Sequence, residues 1–135
     1  MKKFPAVVSA ETPRTSAQVK PSARRSTLGA LGEELVAGWY ERSGFVLVDR
    51  NWRVRRGEID LVAANGRLLV FCEVKTRSSA SYGMAAEAVT PVKQARIRSL
   101  ALAWLAAHPD VHPQTVRFDV AAITGSNVAV VVGAF

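Results

Sequence analysis

Three acidic side chains and a lysine crowd the middle of this sequence: Glu58 and Asp60 in one apolar run, Glu73 and Lys75 in the next. Like charges facing each other across paired strands destabilise a sheet. Such a cluster calls for a counter-charge, which Lys75 supplies in part and a divalent cation would supply more fully. Mg²⁺ prefers oxygen ligands and usually takes one or two carboxylates together with water and phosphate oxygens. The residue types therefore suit hydrolysis of a phosphodiester. Carboxylates hold the ion, the ion activates water and polarises phosphorus, and an ammonium orients the nucleophile or offsets developing charge. On this reading Asp60, Glu73 and Lys75 are catalytic, Asp60 and Glu73 ligate Mg²⁺ (or Mn²⁺), and Glu58 is an accessory. The plainer alternative is a row of solvated strand residues alternating with core residues.

The elements that must position these groups can be read from the same stretch. Two apolar runs, 58–63 and 68–74, flank Asn65-Gly66, and an Asn-Gly pair between such runs signals a hairpin. If Asn65-Gly66 is the two-residue loop, Ala64 pairs with Arg67, Asp60 opposes Phe71, and Glu58 opposes Glu73. Side chains alternate between faces along a strand. One face then carries Ile59, Leu61, Leu68, Val70, Cys72 and Val74. The other carries Val62, Leu69 and Phe71 near the turn, with Glu58, Asp60, Glu73 and Lys75 at the far end. Runs such as Ile-Asp-Leu-Val and Val-Phe-Cys predict a central pair buried on both faces, where charges seldom stand without partners.

Around this hairpin the spacing predicts a helix from about Thr27, with Leu28, Leu31, Leu35 and Trp39 as its apolar stripe and Gly44 beyond its end. Phe45–Val48 reads as a strand. Thr90-Pro91 predicts a second helix start, a cap followed by proline at the first helical position; its stripe is Ile97, Leu100, Ala101, Trp104 and Leu105, and His108-Pro109 ends it. Strands at 115–123 and 128–132 close the chain. The order gives an α/β domain with a mixed sheet flanked by helices. Gly29 and Gly32 cost helix stability and suggest close approach of the first helix to the sheet. Glu33 reads as a surface glutamate.

The densest basic cluster of the folded part is Arg50, Arg53, Arg55 and Arg56, with Trp52 among them; Arg77 and Lys93 lie on the other side of the acidic residues. Arginines pair bidentately with phosphate and an aromatic ring can stack on a base. A charged edge strand is the competing explanation. Lys93 and Arg96 fall near a helix N-terminus, where positive charge is unfavourable unless a phosphate or solvent relieves it. His108 and His112 have zinc-like spacing, but Pro109 and Pro113 remove the shared helix face, so both read as loop residues. Cys72 reads as a small core residue.

The chain has 135 residues, 49% of them apolar, which allows one globular domain and one core. A single cysteine excludes an internal disulfide framework and fits the reducing cytoplasm. The N-terminal apolar run is too short for a signal-peptide core, and no run is of membrane-spanning length. Of the formal net charge of +7, residues 1–26 contribute most, with six basic side chains and one acid; residues 27–135 hold twelve basic and ten acidic ones. The first 26 residues, rich in Pro, Ser, Ala and Thr, read as a disordered basic tail able to attract polyanions. Their charge says little about the folded part.

Three segments together resemble a known family: Gly57–Ala63, Val70–Arg77, and Ala86–Gln94. With Gly29–Glu33 and Asn51-Trp52, they are similar to the YraN-like family of uncharacterised bacterial proteins, assigned to the restriction-endonuclease-like PD-(D/E)xK superfamily. The resemblance spans roughly residues 27–135. It implies an αβββαβ core and a Mg²⁺-dependent phosphodiesterase site formed by Asp60, Glu73 and Lys75, with Glu33 as an additional metal ligand. The expected partner is nucleic acid, DNA first and branched or junction DNA among its forms; Arg53, Arg55, Arg56, Arg77 and Lys93 are the expected contacts. A homodimer would suit a two-strand cut. The alternatives are a non-catalytic nucleic-acid-binding module on the same fold and a protein-interaction module.

Overall fold

The computed structural model describes residues 27–77 and 89–135. The expected basic tail, residues 1–26, and the Ala86–Ala88 part of the third segment lie outside the described residues. The described residues form two helices and five strands in the order α1 (Thr27–Arg42), β1 (Val46–Val54), β2 (Gly57–Asn65), β3 (Leu68–Arg77), α2 (Pro91–Ala107), β4 (Thr115–Thr124) and β5 (Asn127–Val131). The strands form one mixed sheet in the order β1-β2-β3-β4-β5. All neighbours are antiparallel except β3 and β4, which run parallel with α2 as the crossover between them, as a parallel pair requires. The architecture is α/β, as the order of sequence signals predicted.

The helices start and stop where local chemistry says they should. Thr90 caps α2 by accepting the Lys93 backbone N–H, and proline stands in the first turn. The helix ends at Ala107, before His108-Pro109, because a residue preceding proline is pushed out of the α region. After α1 the chain reverses through Gly44, whose φ of +92° suits glycine.

Two apolar clusters cover the two faces of the sheet. One gathers Val62, Leu69, Phe71, Leu100, Trp104 and Phe118 on the α2 side; the other gathers Val36, Tyr40, Leu61, Val70, Cys72 and Ile123 on the α1 side. Trp104 and Phe71 are fully buried and meet edge to face at 5.7 Å between centroids. Burying one such large side chain stabilises the fold by roughly 1.5–3 kcal/mol. The predicted α2 stripe is the buried one.

The α1 stripe is only partly buried. Leu31 is exposed, Leu35 and Trp39 pack at the margin of the α1-side cluster, and the buried face is Glu33, Val36, Ala37 and Tyr40. The helix is rotated relative to the leucine spacing because Gly32 lets it close onto β3 and β4. A Cβ at Gly32 would stand 3.0 Å from Thr76 Oγ1 and 3.5 Å from Ile123 Cγ1. Glu33 is therefore buried, with 7% of its surface accessible, and is not a surface glutamate.

The hairpin register also differs from the expected one. Its two-residue loop is Gly66-Arg67, so Asn65 pairs with Leu68 and Val62 with Phe71. Gly66 occupies the first loop position at a φ of +63°, the position where a II′-type hairpin places glycine. Every partner moves by two residues, an even shift, so the faces are preserved. Continued past its last pair, this register brings Asp60 beside Glu73 rather than opposite Phe71.

Candidate functional site

The site arises where the sheet comes apart. Pairing between β2 and β3 ends at Leu61–Cys72. Beyond that point β2 continues against β1 alone, down to Gly57–Val54. In the other direction β3 continues against β4 alone, through Lys75–Ala122 to Arg77–Thr124. The two central strands diverge into a fork, with Asp60 on one arm and Glu73 and Lys75 on the other.

A fork leaves backbone donors without partners, and unpaired buried N–H groups are costly. Asp60 meets one of them: Val74 N–H donates to Asp60 Oδ2 at 2.8 Å. Local backbone helps aim this side chain. The β1–β2 ladder skips a pair opposite Asp60, at Asn51, whose φ is +54°, a left-handed conformation that asparagine tolerates better than most residues. The alternation breaks at the same place. Ile59, expected on the face of Leu61, joins the α2-side cluster instead.

On β3, Glu73 and Lys75 stand two residues apart and share a face. Lys75 Nζ lies 3.5 Å from Glu73 Oε2, with each side chain 22% exposed. Asp60 keeps 9% of its surface. Burial first, and the neighbouring Glu73 carboxylate second, push its pKa up to about 7; the Val74 N–H opposes the shift, while Glu33 and Glu58 add to it. Glu33 thus reaches the site from α1 through its charge.

A cleft of about 190 Å³ opens over the fork, lined by Glu58, Asp60 and Glu73 from the strands and by Lys93, Arg96 and Ile97 from α2. Arg56, in the β1–β2 turn, also borders it, and its Nη1 donates to Ser99 Oγ at 3.0 Å. Lys93 carries an amine whose pKa is lowered, chiefly by the adjacent Lys75.

Of the sequence-predicted residues, Asp60, Glu73, Lys75, Glu58, Glu33, Arg56 and Lys93 meet at or around this cleft. The remaining arginines do not line it. Arg53 forms a cross-strand ion pair with Glu58 at 3.0 Å, and Arg50 pairs with Glu34 at 2.9 Å. Both stand on β1, an edge strand, where charge discourages further strand pairing. Arg55 is exposed in the turn. The Arg77 side chain lies outside the described residues. Trp52 is not free for base stacking: it packs on the α2-side core and meets His108 edge to face. His108 caps the C-terminus of α2 and stacks on Trp104 at 3.9 Å.

Arg96 enters the cleft although the sequence offered it only as a helix-end charge. The signal was its three-residue spacing from Lys93, which places both on one side of α2. Asp119 was missed entirely. It is 1% exposed, and accepts hydrogen bonds from Tyr40 Oη at 2.5 Å, from Arg117 through two nitrogens at 2.9 Å each, and from Gly133 N–H at 2.9 Å. Burial first, then the neighbouring Cys72 and the hydrogen bond to Asp119, push the Tyr40 hydroxyl well above its usual range.

Among the described residues no group of three His, Cys, Asp or Glu side chains is arranged to hold a metal ion. Zinc and calcium cages need three or more protein ligands, which the described residues do not bring together. Magnesium fits better, since it commonly uses one or two carboxylates and completes its shell with water and substrate phosphate. Asp60 and Glu73 are two such carboxylates. They open on a cleft, and burial first, then the neighbouring Glu73 carboxylate, raises the Asp60 pKa.

Fold and site together define an α/β protein whose mixed sheet forks to present carboxylates and a lysine in a basic-rimmed cleft. The chain belongs to the uncharacterised protein family UPF0102, whose family model matches residues 32–123; this is the family to which the YraN-like resemblance pointed. It is similar to the UPF0102 protein of Kineococcus radiotolerans, with 53% identity over 100 residues, covering 74% of this chain and 82% of that one. The Rhodococcus opacus protein is 54% identical over 101 residues, 75% of this chain and 85% of its own length. The Acidothermus cellulolyticus protein is 45% identical over 125 residues, 82% of this chain and 95% of its own. The stretch matched by the family runs from α1 to β4 and contains every residue placed at the cleft. No helix among the described residues is long and apolar enough to cross a membrane.

Proposed function

We propose that the protein is a Mg²⁺- or Mn²⁺-dependent nuclease that hydrolyses phosphodiester bonds in DNA, built on a restriction-endonuclease-like PD-(D/E)xK core. The observation that carries this reading is the gathering of Asp60, Glu73 and Lys75 at the fork, where Asp60 and Glu73 line a cleft and Asp60 is buried beside the Glu73 carboxylate. Asp60 and Glu73 would hold the ion, with Glu33 behind them adding negative charge. When bound, the ion supplies Lewis acidity toward a phosphoryl oxygen and toward water.

The chain's own groups do the rest. The Val74 N–H fixes the Asp60 carboxylate against rotation, so the ligand is held before any substrate arrives. Glu73 holds the Lys75 ammonium over the fork, where it offsets the charge that builds on the phosphoryl oxygens as attack proceeds. Water adds across one P–O bond: its oxygen joins phosphorus, the bridging oxygen leaves, and the products are a phosphomonoester and a free hydroxyl.

A second reading is favoured by one observation. The bond from Val74 N–H gives Asp60 a structural task that needs no catalysis, as a non-catalytic nucleic-acid-binding module would require. The test is cleavage of labelled linear, flapped and four-way-junction DNA with Mg²⁺, Mn²⁺ or EDTA, beside Asp60→Asn. An asparagine can still accept from Val74 but ligates a cation poorly. Metal-dependent cutting that disappears in Asp60→Asn is the expected result. Binding without cutting on every substrate would leave the module reading standing and remove the nuclease.

A further inference from the structure

The cleft is built from two sets of charges that come from different elements. Its carboxylates belong to the fork of β2 and β3. Its cations belong to the β1–β2 turn and the first turns of α2: Arg56, Lys93 and Arg96. The bond from Arg56 to Ser99, three residues beyond Arg96, holds the turn arginine to the same side of α2 as Lys93 and Arg96.

These cations face the fork carboxylates across the cleft, and Glu73 acts on Lys93 by charge, but they are not tied down in close ion pairs. Among the described residues no ion pair joins Lys93 or Arg96 to a carboxylate, whereas Arg53 and Arg50 each have one. The first turn of α2 carries no acidic residue, so the helix dipole adds to the positive potential there. Lys75 pushes on Lys93 from the β3 side. A solvated face would spread such charges apart; here they converge on a concavity. Ile97 and Leu100 give that concavity an apolar part.

We infer that the cleft is a two-phosphate site, in which the fork receives the phosphate to be cleaved and Arg56, Lys93 and Arg96 hold the neighbouring phosphate of the same strand. The first half rests on the nuclease reading; the second half does not. The cleft's volume of about 190 Å³ is below that of ordinary small-molecule pockets, roughly 300–1,000 Å³. One backbone unit fits this scale better than a base pair, with Ile97 and Leu100 facing its sugar. The smallest complete ligand is then a nucleoside carrying phosphate at both its 3′ and 5′ positions.

Calorimetric titration of the full chain with thymidine 3′,5′-bisphosphate and with thymidine 5′-monophosphate, both in Mn²⁺, tests this. Both probes are phosphomonoesters and present no diester to cleave. The bisphosphate should bind about tenfold or more tighter, a step in line with charge-assisted phosphate contacts. That advantage should vanish in Lys93→Gln/Arg96→Gln and shrink in Arg56→Gln. All three positions are partly or fully exposed, and an unchanged circular dichroism spectrum checks that the variants fold. Equal affinity for the two probes in the wild type, or an advantage that survives the double substitution, would overturn the inference. In Asp60→Asn the advantage should also vanish, while the monophosphate still binds without Mn²⁺ dependence and weakens further when Lys93→Gln/Arg96→Gln is added; that pattern separates the two halves. If the wild type shows the advantage without any Mn²⁺ dependence, the basic subsite stands and the nuclease reading fails.

Discussion

Two buried aspartates in this protein have opposite surroundings. Asp119, in the middle of β4, is enclosed by Tyr40, Nε and Nη2 of Arg117 and the Gly133 N–H. Asp60, at the fork, has the Val74 N–H and otherwise lies among the charges of Glu73, Glu33 and Glu58. The first arrangement neutralises a buried charge and ties α1, β4 and the C-terminal residues together. The second concentrates negative charge beside an open cleft. Buried polar groups that are fully partnered serve the fold, whereas a buried carboxylate kept among like charges costs stability, and a ligand can recover it.

Removal of the Asp119 carboxylate should have the largest effect. Asp119→Ala leaves the Tyr40 hydroxyl, the Gly133 N–H and the Arg117 guanidinium without their acceptor. The expected loss is about 3–5 kcal/mol, the scale for removing one partner of a buried ion pair, read by urea unfolding. Asp60→Asn should do the reverse at neutral pH and above. Folding raises the pKa of the Asp60 carboxyl from its ordinary 3.8 to about 7, so the folded state holds a proton that the unfolded chain has released. Its contribution is fully present below pH 4 and is lost as pH rises through 7. Wild-type stability should therefore fall over this interval relative to Asp60→Asn, by roughly 1–2 kcal/mol after discounting for water at the cleft. Urea midpoints of both proteins from pH 4 to 8 measure it. Mg²⁺ added at pH 8 should recover the loss in the wild type and not in the variant.

Two smaller substitutions sharpen the contrast. Tyr40→Phe removes one hydrogen bond to Asp119 while keeping the ring packed, and should cost about 1 kcal/mol. Glu34→Ala breaks an ion pair that is open to solvent on both sides, and its effect on the unfolding midpoint should stay within about 0.5 kcal/mol.

These two aspartates also mark what was legible in the sequence. Asp60 stands in a run whose alternation, hairpin signal and neighbouring Glu-x-Lys announce a charged strand end, so the site could be assembled from pattern alone. Its register was misplaced by the turn, because Asn-Gly suggests a loop without fixing which residue opens it; Gly66 does, by taking positive φ first. The fork itself was invisible. It depends on β3 finding β4 as its partner beyond Cys72, a long-range choice that local spacing does not encode. Asp119 was missed because, apart from Arg117 two residues away, its partners come from Tyr40, far earlier in the chain, and from the Gly133 backbone. Glu33 reads as a surface residue from a leucine stripe that glycine packing overrides. Helix ends, by contrast, follow from Thr90-Pro91, His108-Pro109 and Gly44, whose effects reach only a few residues.

The claim that the fork is a cation site is tested most directly by Mn²⁺ binding, followed by electron paramagnetic resonance as free ion is lost on titration with protein. The wild type should bind one Mn²⁺ per chain, more tightly at pH 8 than at pH 6 because Asp60 must give up its proton, with binding abolished in Asp60→Asn and weakened in Glu73→Gln. Binding that is absent in the wild type, or unchanged in Asp60→Asn, would contradict the account.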